Sequence, residues 1–295
     1  MIWLIGCKGM LGSEIARQFE ENKIEYVGTD REVDFTDYTS IQNFSRDKKI
    51  DFIVNCAAYT AVDKAESDRE LAQKLNEEGP ANLSKLCNSI NATLIHISTD
   101  YVFDGTGNTP RTEDMPVAPI GVYGETKALG EKAVTSICNK YYILRTAWLY
   151  GWNGKNFVYT MLKAMNTHDA VKVVNDQRGT PTFAGDLAGV IIKIINSTEK
   201  VPCGIYHCTD LGDITWWDFT NEIKKQGVEA GYLTNKDCVV NPCTSDEYPT
   251  PAKRPAYSVL SKEKIQKTLG IKLPDWKESL SVFLKSSLFD KTRLE

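Results

Sequence analysis

An α/β fold, a doubly wound parallel sheet followed by a smaller C-terminal region, follows from three observations in this 295-residue sequence. Short β-branched runs alternate with longer amphipathic stretches up to about Trp148, as repeated βα units around a parallel sheet do. A glycine-rich turn stands directly between the first run and the first amphipathic stretch. Beyond Tyr150 the alternation loosens into Gly-, Asn- and Pro-rich segments, which reads as a substrate-covering region.

Taken in order, the strands are predicted at Met1–Ile5, Glu25–Thr29, Phe52–Asn55, Thr93–Ser98 and Tyr142–Thr146. The intervening stretches Met10–Glu21, Ser40–Lys48, Arg69–Asn76, Ala81–Ser89 and Tyr123–Thr135 carry apolar residues at helical spacing. Gly79 and Pro80 are expected to kink or divide the third and fourth of these. Further helices are expected near Asn156–Met165, Phe183–Asn196 and Trp216–Lys225. Residues 1–150 thus read as a nucleotide-binding domain. Residues 151–295 read as mainly substrate-binding, with some segments returning to the core of the first domain.

Composition narrows the function. With 42% hydrophobic residues a buried core is assured. The net charge of −4 is spread over mixed signs, with no basic stripe of the kind that binds nucleic acid. The longest apolar runs, Phe52–Ala58 and Leu187–Ile195, fall far short of a membrane span. Met1 leads straight into a strand without a charged leader, so a cytoplasmic location is expected. The eight cysteines are scattered through a chain that has a core without them, which favours reduced thiols. Cys203-x4-Cys208 and Cys238-x4-Cys243 are spaced more widely than the usual zinc pairs, and no metal ligand is assigned.

The turn Gly6-Cys-Lys-Gly9-Met-Leu-Gly12 follows the first strand and opens a helix containing Ile15, Ala16 and Phe19. Glycine suits a tight turn, a backbone approached by pyrophosphate and a helix packed on a strand, and the helix N-terminus offers unpaired N–H groups to an anion. This predicts a Rossmann-type dinucleotide site. Asp30 ends the second strand where a carboxylate accepts from the adenosine ribose hydroxyls. Lys8 and Arg31 offer positive charge to a 2′-phosphate, so NADH and NADPH both remain open. Ala57 and Ala58, small residues ending the third strand, leave room for a cofactor ring or ribose.

Tyr123 and Lys127 stand at i and i+4, on one face of a helix. Reduction of a ketone by hydride requires a proton on the developing alkoxide. A phenol can deliver it, and a nearby ammonium is expected to lower the phenol's pKa. Ser98-Thr99-Asp100 ends the fourth strand at the carboxyl edge where α/β proteins bind ligands. Strand parity decides which of Ser98 and Thr99 faces the crevice. His96 sits among apolar neighbours and reads as a structural histidine. No Gly-x-Ser-x-Gly elbow supports a serine nucleophile.

Taken together, Gly6–Gly12, Asn55–Glu66, His96–Phe103, Val122–Lys127, Val174–Thr182 and Arg254–Ser258 resemble dTDP-4-dehydrorhamnose reductases of the extended short-chain dehydrogenase/reductase superfamily, over nearly the whole chain. The resemblance implies NAD(P)H-dependent reduction of a dTDP-linked 4-keto-6-deoxy sugar to dTDP-L-rhamnose. By it, Tyr123 is the proton donor, Lys127 its pKa-lowering and ribose-holding partner, and Thr99 the tuning hydroxyl. Cofactor contacts map to Gly9, Met10, Leu11, Asp30, Asp34, Phe35, Ala58, Tyr123 and Lys127, and sugar-nucleotide contacts to Thr60, Val62, Thr99, Asp100 and Trp148. Some such enzymes hold Mg²⁺ at a dimer interface. The resemblance leaves both a Mg²⁺ ion and a homodimer open here, without assigned ligands.

Arg254 reads either as a bidentate partner of the substrate diphosphate or as half of a surface ion pair. Trp148 stacks on the substrate or packs in a core. Trp216 and Trp217 mark either a partner surface or, beside Phe219 and Ile223, core packing. Two other functions share these motifs. One is an NDP-sugar epimerase or dehydratase, which regenerates its nicotinamide. The other is a non-catalytic subunit like the regulatory subunit of methionine adenosyltransferase.

Overall fold

The computed structural model describes residues 1–294. Its first half alternates β1 (Ile2–Ile5), α1 (Met10–Glu21), β2 (Tyr26–Thr29), α2 (Tyr38–Ser45) and β3 (Phe52–Asn55). These are followed by α3 (Val62–Ala65), α4 (Arg69–Gln73), α5 (Gly79–Ile90), β4 (Thr93–Thr99), α6 (Val122–Ile137) and β5 (Tyr141–Thr146). Six parallel strands form one sheet in the order β2-β1-β3-β4-β5, closed at the far edge by Gly204–His207. The order reverses between β1 and β3, and the crevice beyond the carboxyl ends of the strands at such a switch is where ligands bind.

Every residue of β1 is buried, because both faces of the sheet are covered. On one face Ile2 and Leu4 share a core with Ile15 and Phe19 of α1, and with Leu187 and Ile191 of α8 (Ala184–Ile195). On the other, Trp3 and Ile5 pack with Ile41 of α2, Leu83 and Leu86 of α5, and Val134 of α6. The region after Tyr150 therefore supplies both a helix and an edge strand to the layered half. A third core gathers Tyr150, Phe219, Trp276, Leu280 and Phe283, joining α7 (Phe157–Thr167), α9 (Trp216–Glu229) and α11 (Trp276–Lys285). Before α11 lies a short α10 (Glu263–Leu269).

Gly79 and Pro80 open α5, with Pro80 in its first turn. A π-helical turn over Lys74–Glu78 joins α4 to α5 instead of a break. That turn aims Asn76 inward. Its amide donates to the Tyr59 carbonyl at 3.1 Å and to Thr126 Oγ1 at 3.0 Å, and it accepts from the Tyr59 N–H at 2.9 Å. The loop after β3 is thereby tied to α6. No helix among the described residues is long and apolar enough to cross a membrane.

Candidate active site

A cleft of about 870 Å³ runs along the carboxyl ends of β1 to β5 and under the region after Tyr150. At one end stands the glycine turn. Gly6 has φ +76°, and a Cβ there would lie 2.9 Å from the Ala57 nitrogen. A Cβ on Gly12 would lie 2.0 Å from the Gly6 carbonyl oxygen. Both positions therefore exclude a side chain, and the space so kept is a backbone cradle. Gly9 precedes α1 without any side-chain cap, so the first-turn N–H groups face the cleft with Gly9, Met10 and Leu11 in its wall.

Asp30, Asp34, Phe35, Ala57 and Ala58 line the same end. The Lys8 backbone N–H donates to Asp30 Oδ2 at 3.2 Å, which turns that carboxylate toward the glycine turn. Asp34 accepts from the N–H and hydroxyl of Thr36, and the hydroxyl bond first of all holds its carboxyl below the usual range. These residues fit an adenine dinucleotide: a carboxylate for the ribose, amide donors for the pyrophosphate, and small residues between.

The reacting end is drier. Thr99, Asp100, Tyr123 and Lys127 converge there from β4 and α6. Alternation along β4 separates the two hydroxyls left open by the sequence. Ser98 Oγ donates to Glu131 Oε1 at 2.5 Å, whereas Thr99 Oγ1 donates to Asp100 Oδ1 at 2.9 Å and lies against the Tyr123 phenol. Thr99 is thus the hydroxyl beside the phenol. Lys127, fully buried, donates from Nζ to the Ile97 carbonyl at 2.7 Å.

These surroundings reverse one expectation. Enclosure in the cleft wall pushes the Tyr123 phenol well above its usual pKa, and the hydrogen bond with Thr99 offsets only part of that rise. Lys127 turns its ammonium toward the Ile97 carbonyl, and burial dominates the shift of the phenol. Burial instead brings the lysine itself down to about 8, against the opposing pull of Glu131 and Cys56. Asp100 is raised to about 6 by burial, with hydrogen bonds from Ser258 and Thr99 opposing.

Behind Lys127, Arg145 holds Glu131 through two bonds, Nη2–Oε2 at 2.7 Å and Nε–Oε1 at 2.9 Å, with both side chains buried. His207, 3.3 Å from the guanidinium, is lowered to about 3 by burial and by that charge. His96, also lowered by burial, sits at 3.2 Å from the Asn55 amide.

Of the substrate-side residues, Thr60, Val62, Asp100 and Trp148 line the cleft. Trp148 sits in left-handed backbone at φ +46°, a conformation that costs a bulky residue about 1–3 kcal/mol. Its indole stacks on Trp216 with ring centroids 3.6 Å apart, and a Cβ on Gly179 would meet it at 2.6 Å. Trp216 thus serves both the cleft wall and the packing below, where it meets Phe157 at 4.5 Å. Trp217 donates from Nε1 to the Val240 carbonyl at 3.0 Å.

Arg254 is not in the cleft wall. Its Nη2 pairs with Asp63 Oδ2 at 2.8 Å and its Nη1 donates to the Tyr101 hydroxyl at 3.0 Å. Tyr101, unremarked in the sequence although it lies beside Asp100, meets Tyr123 edge to face at 5.5 Å. The arginine therefore reaches the cleft through a second tyrosine. Among the described residues all eight cysteines are free, and no group of three or more His, Cys, Asp or Glu side chains is arranged to hold a metal.

A family model described as the RmlD substrate binding domain matches residues 1–289. The dTDP-4-dehydrorhamnose reductase of Escherichia coli is 38% identical, with 99% of each chain covered. Among solved structures, a dTDP-4-dehydrorhamnose reductase from Clostridium acetobutylicum superposes with a TM-score of 0.90 at 44% identity, covering 96% of this chain and 98% of that one. The Bacillus anthracis enzyme of the same name, in complex with NADP, gives 0.88 at 33% identity, covering 96% and 97%.

Proposed function

Since the chain belongs to the RmlD substrate-binding-domain family, with the dTDP-4-dehydrorhamnose reductases among its members, we propose that it reduces the 4-keto group of dTDP-4-dehydro-L-rhamnose with NADH or NADPH, giving dTDP-L-rhamnose. The observation that carries this reading is the convergence of Thr99, Tyr123 and Lys127 in one cleft with the glycine cradle.

The chemistry divides among residues already placed. When bound, the reduced nicotinamide supplies the hydride. Tyr123, neutral because its phenol is held above its usual pKa, donates its proton to the ketone oxygen as negative charge develops there. Thr99, whose hydroxyl proton rests on Asp100 before the reaction, lies against the phenol and can turn that one proton to the phenolate as it forms. Lys127 sets a positive charge beside the reacting groups and holds the ribose. Thr60, Val62 and Trp148 bind the sugar nucleotide. Residues 1–150 hold the cofactor and residues 151–295 mainly cover the sugar, with α8 and Gly204–His207 returned to the layered half.

The test is net consumption of reduced nicotinamide by the purified protein with the dTDP-4-keto sugar, followed by identification of the product. Stoichiometric oxidation with dTDP-L-rhamnose formed is expected. A changed sugar without net oxidation would instead indicate an epimerase or dehydratase, and cofactor binding without any turnover a regulatory subunit.

A further inference from the structure

A second cavity opens beside the glycine turn, lined by Lys8, Gly9, Asp30, Arg31 and Glu32, and the reduction chemistry makes no use of it. It adjoins Asp30, the residue assigned to the adenosine ribose, so a 2′-phosphate on that ribose would point toward it. Two cations and two carboxylates meet here, and their pairing is specific. Glu32 Oε1 accepts the Asp30 backbone N–H at 2.9 Å, folding the glutamate back over the end of β2. Its other oxygen lies 3.8 Å from Lys8 Nζ. The cation inside the glycine turn is therefore already matched to a carboxylate. Backbone hydrogen bonds at Glu32 and Asp30 hold the glutamate below its usual pKa, so it is ionised at neutral pH. Asp30, fixed by the Lys8 N–H, contributes a second negative charge where a phosphate would arrive.

We propose that Glu32 sets a preference for NADH over NADPH in this chain, by occupying Lys8 and adding a second carboxylate beside Asp30. The proposal rests on the reductase reading, which supplies the cofactor. A ribose with free hydroxyls donates to Asp30 and leaves the Glu32–Lys8 pair undisturbed. A 2′-phosphate, carrying about −1.5 to −2 charges at neutral pH like other phosphomonoesters, must draw Lys8 away and bear both carboxylates. Arg31 is the cation left to receive it, so NADPH remains usable but weaker. Because Lys8 and Glu32 are exposed, the effect is modest and salt-sensitive.

The experiment titrates the full-length protein with NADH and with NADPH, following quenching of its own tryptophan fluorescence, at low and high salt. Glu32→Gln keeps an oxygen for the Asp30 N–H but removes the charge. The wild type is expected to bind NADH several-fold more tightly. In Glu32→Gln, NADPH affinity is expected to rise on the order of 3–10-fold, with a smaller change for NADH. The gain should be smaller when Lys8→Met is added, because only relief of the Glu32 carboxylate's repulsion is then left, and it should shrink at high salt. Equal affinities in the wild type, or a Glu32→Gln shift shared by both cofactors, would overturn the proposal while leaving the reductase reading intact. Failure of the folded wild type to bind either cofactor would overturn both.

Discussion

The two ends of the cleft hold similar inventories of charge and use them in opposite ways. At the nucleotide end Lys8, Asp30 and Glu32 pair in contact with water, which screens each interaction. At the reacting end Lys127, Asp100, Glu131 and Arg145 are buried, and the same kinds of group have displaced pKa values or demand a fixed partner. Charge therefore selects a ligand at the wet end and sets protonation state at the dry end. The contrast also orders the consequences of mutation.

The largest effect is expected from Tyr123→Phe, which keeps the ring and its edge contact with Tyr101 but removes the proton. Its kcat should fall on the order of 10²–10⁴-fold, with cofactor affinity little changed by titration. Thr99→Val should cost less, because it removes the bond to Asp100 and the phenol but not the donor. Full turnover by a folded Tyr123→Phe protein would dissolve the distinction between the two ends.

Next comes Glu131→Gln, which leaves the Arg145 charge buried without its carboxylate. A loss of about 3–5 kcal/mol in denaturant unfolding is expected for breaking such a pair, against little change for Glu32→Gln at its solvated site. Similar losses for the two variants would contradict the assigned difference in environment.

The pH profile sharpens the comparison further. Asp100 is ionised above about 6 and Lys127 is charged below about 8. Activity should therefore rise through the first value, decline through the second, and be highest between them. The phenol, held above its usual pKa, should stay protonated throughout this window. In Asp100→Asn the acid limb should flatten. An alkaline limb that is unchanged in a Lys127→Met protein with residual activity would remove the lysine from this role.

The smallest effect is expected at the rim. Arg254→Ala releases Tyr101 and Asp63, and should raise KM for the sugar nucleotide a few-fold, consistent with losing one or two partly buried hydrogen bonds. NADH affinity should not follow. An unchanged KM would leave Arg254 as a clamp on the segment around Pro255 alone.

Much of this contrast was legible in the sequence. The alternation of apolar runs located β1 to β5 and α1, and the three glycines with Asp30 marked the wet end, because tight turns and backbone cradles restrict residue type. Tyr123 and Lys127 were legible from helical spacing. Three things were not. The strand Gly204–His207 is four residues long and pairs with β5 from far along the chain, so periodicity had too little length to register it. The Trp148–Trp216 stack is likewise a long-range contact. The direction of the Tyr123 pKa depended on enclosure, which a four-residue spacing does not determine. By contrast α11 did carry a signal: the capping box of Asp275 and Glu278 precedes Trp276, Leu280, Phe283 and Leu284 at helical spacing.

The most direct test of the account follows one hydrogen atom. Reduced nicotinamide deuterated at its transferable position is incubated with the protein and the dTDP-4-keto sugar, and the products are analysed by mass spectrometry and NMR. The account predicts one deuterium at C4 of dTDP-L-rhamnose for each nicotinamide oxidised. A converted sugar with no deuterium at C4, or one formed while the nicotinamide pool stays reduced, would contradict it.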